Sequence, residues 1–136
     1  MTEFFVPMVP PTITHQQKQI KVIKNKKGKH VPLVYEPAEL KAARTKLEAH
    51  LAKHAPEHKY TRAIRLVTKW CFPITGDRRD GQYKTTKPDT DNLQKLLKDV
   101  MTDLGYWEDD ALVASEITEK FWAKIPGIYI AIEELG

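Results

Sequence analysis

Four aspartates bracket one stretch of the chain. Asp89 and Asp91 lie in Lys87-Pro-Asp-Thr-Asp-Asn-Leu-Gln-Lys95, Asp109 and Asp110 lie in Trp107-Glu-Asp-Asp-Ala-Leu-Val113, and Asp99 stands between the two runs. Carboxylates are hard oxygen donors, and two of them two residues apart in extended chain point to one side. Such a pair suits Mg²⁺, which takes one or two carboxylates and completes its octahedron with water and substrate phosphate. Lys95 follows Asp91 by one helical turn, so on a helix its ammonium can pair with that carboxylate or meet a scissile phosphate. A purely structural reading competes, because Asp, Thr and Asn are preferred helix N-caps and negative charge there suits the macrodipole. A cap needs only one such residue. Two aspartates, a lysine one turn on and an Asp-Asp pair beyond the helix exceed that need.

A helix must carry this constellation, and the pattern supplies one. From Asp89–Asn92 onward, Leu93, Leu96, Leu97, Val100 and Leu104 recur at helical spacing, and Gly105 stops them. A helix of about 14 residues, at roughly 1.5 Å each, moves the chain about 20 Å from Asp91, and the steps from Leu104 to Asp110 return about that far. Asp110 therefore completes the site only where the chain doubles back, or else across a dimer.

The other elements follow from periodicity. Glu3–Val9 reads as a strand ended by Pro10-Pro11, and Lys18–Tyr35 as a hairpin with strands Gln19–Lys24 and Val31–Tyr35 around a turn at Gly28. Pro37 suits a first helical position, with Leu40, Ala43, Leu47 and Leu51 as the apolar stripe of a first helix. Ile64, Leu66, Trp70 and Phe72 alternate with Arg65, Val67, Lys69 and Cys71, the pattern of a half-buried strand in Arg62–Phe72 with Cys71 a small buried hydrophobe. Residues 74–87 have no period and form a long loop. Leu112–Trp122 and Ile128–Glu133 alternate as a final hairpin turning at Pro126-Gly127. The fold class is α+β: a mixed or antiparallel sheet of four to six strands carrying two main helices. His50, His54 and His58 are spaced for one helix face, yet no Cys or carboxylate ligand pattern accompanies them, so they are not read as a metal site.

With 136 residues and 15.7 kDa the chain fits one domain, 1–136, large enough for a core without disulfides, and its lone Cys71 forms no internal bridge. It shows neither a signal segment nor a long apolar span, which reads as a soluble cytoplasmic protein. Residues 1–105 hold 20 Lys/Arg against 11 Asp/Glu, while residues 106–136 hold 2 against 7. Positive charge over most of a small domain favours an anionic partner such as nucleic acid. Candidate phosphate contacts are Lys24, Lys26, Lys27 and Lys29 at the hairpin tip, where six lysines and no acid fall between His15 and His30, together with Arg78, Arg79, Lys84 and Lys87.

The run from Lys87 to Val113 closely resembles the hallmark segment of the RusA family of Holliday-junction resolvases, and Val9-Pro-Pro-Thr-Ile13 resembles its proline-rich exit from the first strand. By that resemblance Asp89, Asp91 and Asp110 match the catalytic metal-binding aspartates and Lys95 the essential lysine. Asp109 matches the first member of the Asp-Asp pair, while Asn92, Asp99 and Gly105 match a helix start, a helix face and a helix stop. The resemblance implies a homodimeric endonuclease that requires Mg²⁺ or Mn²⁺ and nicks two strands of a four-way DNA junction symmetrically. A carboxylate-held divalent cation activates water and offsets charge on the reacting oxygens, with Lys95 neutralising phosphate or positioning that water. A C₂ dimer matches the two strands to be cut. Tyr83, Trp107 and Trp122 are interface-type aromatics equally suited to the core. Two rival readings are a flap or branched-DNA nuclease, and a non-catalytic nucleic-acid-binding module whose aspartates are caps.

Overall fold

The computed structural model describes residues 1–14, 19–35 and 37–136; His15 and Lys18, which begin the expected basic hairpin, lie outside them. The strands are β1 (Thr2–Val6), β2 (Gln19–Lys24), β3 (His30–Tyr35), β4 (Ile64–Pro73), β5 (Val113–Ala123) and β6 (Gly127–Glu134), and the helices are α1 (Ala38–Ala52) and α2 (Thr90–Asp103). A mixed four-stranded sheet runs in the order β1-β6-β4-β5, and β2 and β3 form a separate antiparallel ribbon. This is the expected α+β architecture.

β4 organises the sheet because it pairs on both edges, parallel to β5 and antiparallel to β6. Its period-two sequence puts Ile64, Leu66, Thr68, Trp70 and Phe72 on a fully buried face, while Arg65, Val67, Lys69 and Cys71 face outward. Cys71 is thus half-buried on the outer face instead of in the core, and partial burial raises its thiol pKa. Against the inner face lie Leu40, Leu47 and Leu51 of α1 and Leu93, Leu96, Leu97, Val100 and Met101 of α2, none with exposed surface. Each such side chain contributes about 1.5–3 kcal/mol by leaving water, so α2 is fixed to the sheet along its whole length.

Three expectations change. The final hairpin does not form: after Ala123 the chain crosses the end of β4, and β6 enters between β1 and β4 instead of pairing with β5. Period-two alternation specifies strands and faces but not which edge a strand joins. Gly127 lets β6 start close beside β1, because a Cβ there would meet the Phe5 ring at 2.1 Å and the Val6 carbonyl at 2.7 Å. Pro37 takes the N-cap position and not the first helical turn, and β1 ends at Val6, ahead of Pro7. In the β2–β3 turn the Asn25 side chain accepts from the N–H groups of Lys27 and Lys29 at 2.9 and 3.0 Å. Among the described residues no helix is long and apolar enough to cross a membrane.

Candidate active site

α2 starts where the loop from β4 ends. Asp89 occupies its N-cap position, yet its carboxylate makes no capping bond. It takes the Lys87 ammonium at 3.0 Å instead, so capping does not account for this aspartate. Lys120, reaching from β5, donates to the carbonyls of Thr86 and Pro88, both at 2.7 Å, and ties down the segment that delivers Asp89 and Asp91. Partial burial lowers the Lys120 pKa, an effect that the nearby Asp89 charge opposes.

The far end of α2 explains how Asp110 returns. Gly105 stops the helix in a left-handed conformation, φ +81°, that L side chains rarely adopt. Tyr60, just ahead of β4, then brackets the next residues, donating its N–H to the Tyr106 carbonyl at 3.0 Å and accepting from Glu108 at 2.9 Å. Trp107 is buried with its indole N–H on Thr102 at 2.8 Å. The chain is thereby turned back into a short 3₁₀ turn, Asp110–Leu112, in which the Asp109 carboxylate accepts from the Ala111 N–H at 2.8 Å. Asp109 is a cap, and Asp110 is the member of the pair that reaches the site.

Asp91, Lys95 and Asp99 of α2, Asp110 of the turn and Glu116 of β5 line one cleft of about 290 Å³, together with Gln94 and Lys98. Asp110 therefore closes it within one chain. Lys98 and Glu116 pair at 2.5 Å across the α2–β5 seam, whereas Asp91 and Lys95 are exposed and have no ion-pair partner among the described residues. Asp89 is not among the lining residues. Alternation along β5 carries Glu116 and Lys120 onto the face of Leu66 and Trp70, their register partners in β4, under the helix. The sequence held that signal, but β5 had to lie beside β4 for it to bear on the site.

The donor set is all hard oxygen. No three of His, Cys, Asp and Glu are drawn into a ready metal-binding group among the described residues. An open set of this kind fits Mg²⁺, which keeps several waters and binds through one or two carboxylates plus phosphate, and does not fit a closed structural zinc site.

The candidate phosphate contacts divide. Lys24, Lys26, Lys27, Lys29, Arg78, Arg79 and Lys87 are exposed. Lys84, expected among them, is 9% exposed: its ammonium lies over the rings of Trp122 and Phe72, at 4.2 and 5.1 Å, and donates to Thr86. Burial lowers its pKa, helped by the Lys120 and Arg78 charges. Loop 74–87 also lines itself along β5, with Lys84 and Gln82 exchanging backbone bonds with Lys120 and Trp122. Of the interface-type aromatics, Trp107 and Trp122 are buried, while Tyr83 is exposed and stacked on Phe121 at 4.9 Å. His54 stacks flat on Phe4 at 4.3 Å, and His58 lies past the end of α1.

A one-sided mixed sheet that holds a carboxylate-lysine cleft between a helix start and a returning turn defines an α+β protein with a cleft rich in hard oxygen donors. The model of the endodeoxyribonuclease RusA family matches residues 9–133, and the chain belongs to that family. It is 36% identical over 69 residues to the crossover junction endodeoxyribonuclease RusA of Lactococcus phage r1t, an alignment covering 49% of this chain and 53% of the phage protein. The chain thus matches about half the length of this curated relative.

Proposed function

We propose that the protein is a divalent-metal-dependent, structure-specific DNA endonuclease that resolves four-way junctions by paired symmetric nicks, acting as a homodimer. The observation that carries this reading is the meeting of Asp91, Lys95 and Asp110 in one cleft of one chain. Asp91 and Asp110 would hold Mg²⁺ or Mn²⁺. Asp89 would join them by leaving Lys87, a step that costs little because exposed ion pairs contribute only about 0–1 kcal/mol. When bound, the cation would supply water activation and offset charge on the reacting oxygens. Lys95 stands one turn from Asp91 with no ion-pair partner among the described residues, so its movable ammonium is available to neutralise the phosphate. Lys98 is held by Glu116 across the α2–β5 seam, which leaves Lys95 as the cation for this role.

The test is cleavage of a four-way junction, a flap and a linear duplex with and without Mg²⁺, beside light scattering of the protein. Metal-dependent paired nicks in the junction alone, from a particle of about twice the chain mass, are the expected result. Preference for the flap would replace the substrate, and binding without cleavage in any metal would replace the activity.

A further inference from the structure

The cleft contains a buried polar group that the carboxylate-lysine chemistry leaves unused. Behind it, the Trp70 indole N–H donates to the Thr68 hydroxyl at 3.1 Å, and that hydroxyl donates to Gln94 Oε1 at 2.9 Å. Trp70 and Thr68 have no exposed surface, and Gln94 is 3% exposed while lining the cleft. An indole N–H can only donate, so Thr68 accepts from it, and the hydroxyl proton then needs an acceptor in a place without water. Gln94 Oε1 is that acceptor, which fixes which way the amide faces. Its other end, Nε2, is buried without a hydrogen-bond partner among the described residues. Buried polar groups in folded proteins are rarely left so.

We infer that the Gln94 side-chain amide is a phosphate-binding group of the cleft, donating from Nε2 to a non-bridging oxygen of the scissile phosphodiester; this rests on the nuclease reading above. The amide is a donor, so its ligand must be an acceptor, and the carboxylates that line the same cleft do not bond it. A neutral donor meets phosphate oxygen without adding charge beside Lys95. The Trp70–Thr68 relay holds the Oε1 end, so the amide is oriented before the substrate arrives.

Two variants separate this role from simple packing. Gln94→Glu keeps the acceptor toward Thr68 and replaces the donor with a carboxylate oxygen, whereas Gln94→Met removes both. Burial raises a carboxyl pKa, so the glutamate regains an O–H donor in acid. Single-turnover junction cleavage in Mg²⁺ is measured against wild type at each pH, junction binding in Ca²⁺ by fluorescence anisotropy, and folding by thermal melts. Gln94→Glu is expected to cleave about tenfold slower at about pH 8.5, as suits a hydrogen bond to a charged group, and to recover several-fold toward wild type by about pH 6. Gln94→Met shows the loss without the recovery, and both bind the junction within about threefold of wild type, since the basic surface supplies most affinity. If Gln94→Met does not fold, Gln94→Glu carries the test. Wild-type rates for Gln94→Glu at about pH 8.5, or a deficit that does not change with pH, would overturn the inference while leaving the nuclease reading intact. A wild-type protein that cleaves none of the DNA substrates in any divalent metal would overturn both.

Discussion

Asp91, in the first turn of α2, and Asp110, beyond its far end, line one cleft of a single chain. The helix carries the backbone about 20 Å away, and the segment after Gly105 is led back by its bonds to Tyr60. Both carboxylates of the proposed metal pair thus belong to one subunit.

Mixed subunits test this arrangement directly. Asp91→Asn and Asp110→Asn each remove one metal charge and leave the basic surface intact, so each is expected to lose cleavage by about 100-fold or more while junction binding persists. Co-refolding the two variants should restore nothing, because no chain in the mixture holds both carboxylates. Recovered nicking would show that the site is completed across two chains.

Lys120 is the brace under the first turn of α2. Its ammonium holds the carbonyls of Thr86 and Pro88, and replacing it by methionine keeps the length but frees both acceptors. Lys120→Met is expected to cost about 2 kcal/mol in denaturant unfolding, to speed amide exchange at residues 90–93, and to slow cleavage with little change in junction affinity. Lys87→Ala is the contrasting change. It releases Asp89 from an exposed pair, so cleavage at saturating DNA should be kept, whereas Asp89→Asn should abolish it.

Periodicity made both helices, the inner face of β4 and the strand content legible, since each depends on residues within a few positions of one another. The edge that β6 joins was not legible, because the alternation of Ile128, Ile130 and Ile132 fits a hairpin with β5 as well as insertion beside β4. Asp89, Asp91, Lys95 and the Asp109-Asp110 pair stood out because they exceed what a helix cap needs, and the family resemblance singled out Asp110. Glu116 and Gln94 did not, since an acid in an alternating strand and an amide in a helix are ordinary until the fold puts them in one cleft. Lys84 reads as one more exposed cation by composition, and only the rings of Trp122 and Phe72 show its structural role.

Tyr106 ties stability to alkaline pH. Its hydroxyl donates to the Leu51 carbonyl at 2.5 Å, and burial pushes the phenol pKa above its ordinary value of 10.0. With the folded pKa raised above the unfolded one, this contribution is complete below about pH 10 and is lost as the pH climbs toward the folded value. Tyr83 and Tyr129 are raised in the same direction by hydrogen bonds to Glu119 and Glu3, so Tyr106→Phe should reduce the alkaline loss without removing it. At neutral pH that variant should cost only about 1 kcal/mol, because the Leu51 carbonyl keeps its bond from the His54 N–H. Urea unfolding at about pH 8 and about pH 10.5 measures both effects, and an unchanged alkaline slope would remove Tyr106 as its source.

Salt dependence distinguishes cations that meet DNA from those that hold the protein together. Lys24, Lys26, Lys27 and Lys29 project from the β2–β3 turn, and Arg78 and Arg79 from loop 74–87, all exposed. Each phosphate contact among them releases condensed counterions, so neutralising it should lower the slope of log affinity against log salt by about 0.9. Lys84 shares their charge but spends it on aromatic rings and the Thr86 hydroxyl. Lys84→Met should therefore leave the salt slope unchanged and appear in thermal stability instead, by about 1 kcal/mol as suits a partly desolvated cation–π contact. A hairpin variant with all four lysines replaced should bind the junction more weakly at low salt and approach wild type at high salt, where displaced counterions no longer favour binding. If its slope equals that of wild type, the hairpin is a solvated ribbon, and the search for the DNA path moves to loop 74–87, to Arg79 and to Arg78, whose guanidinium lies over the Trp122 ring at 5.1 Å.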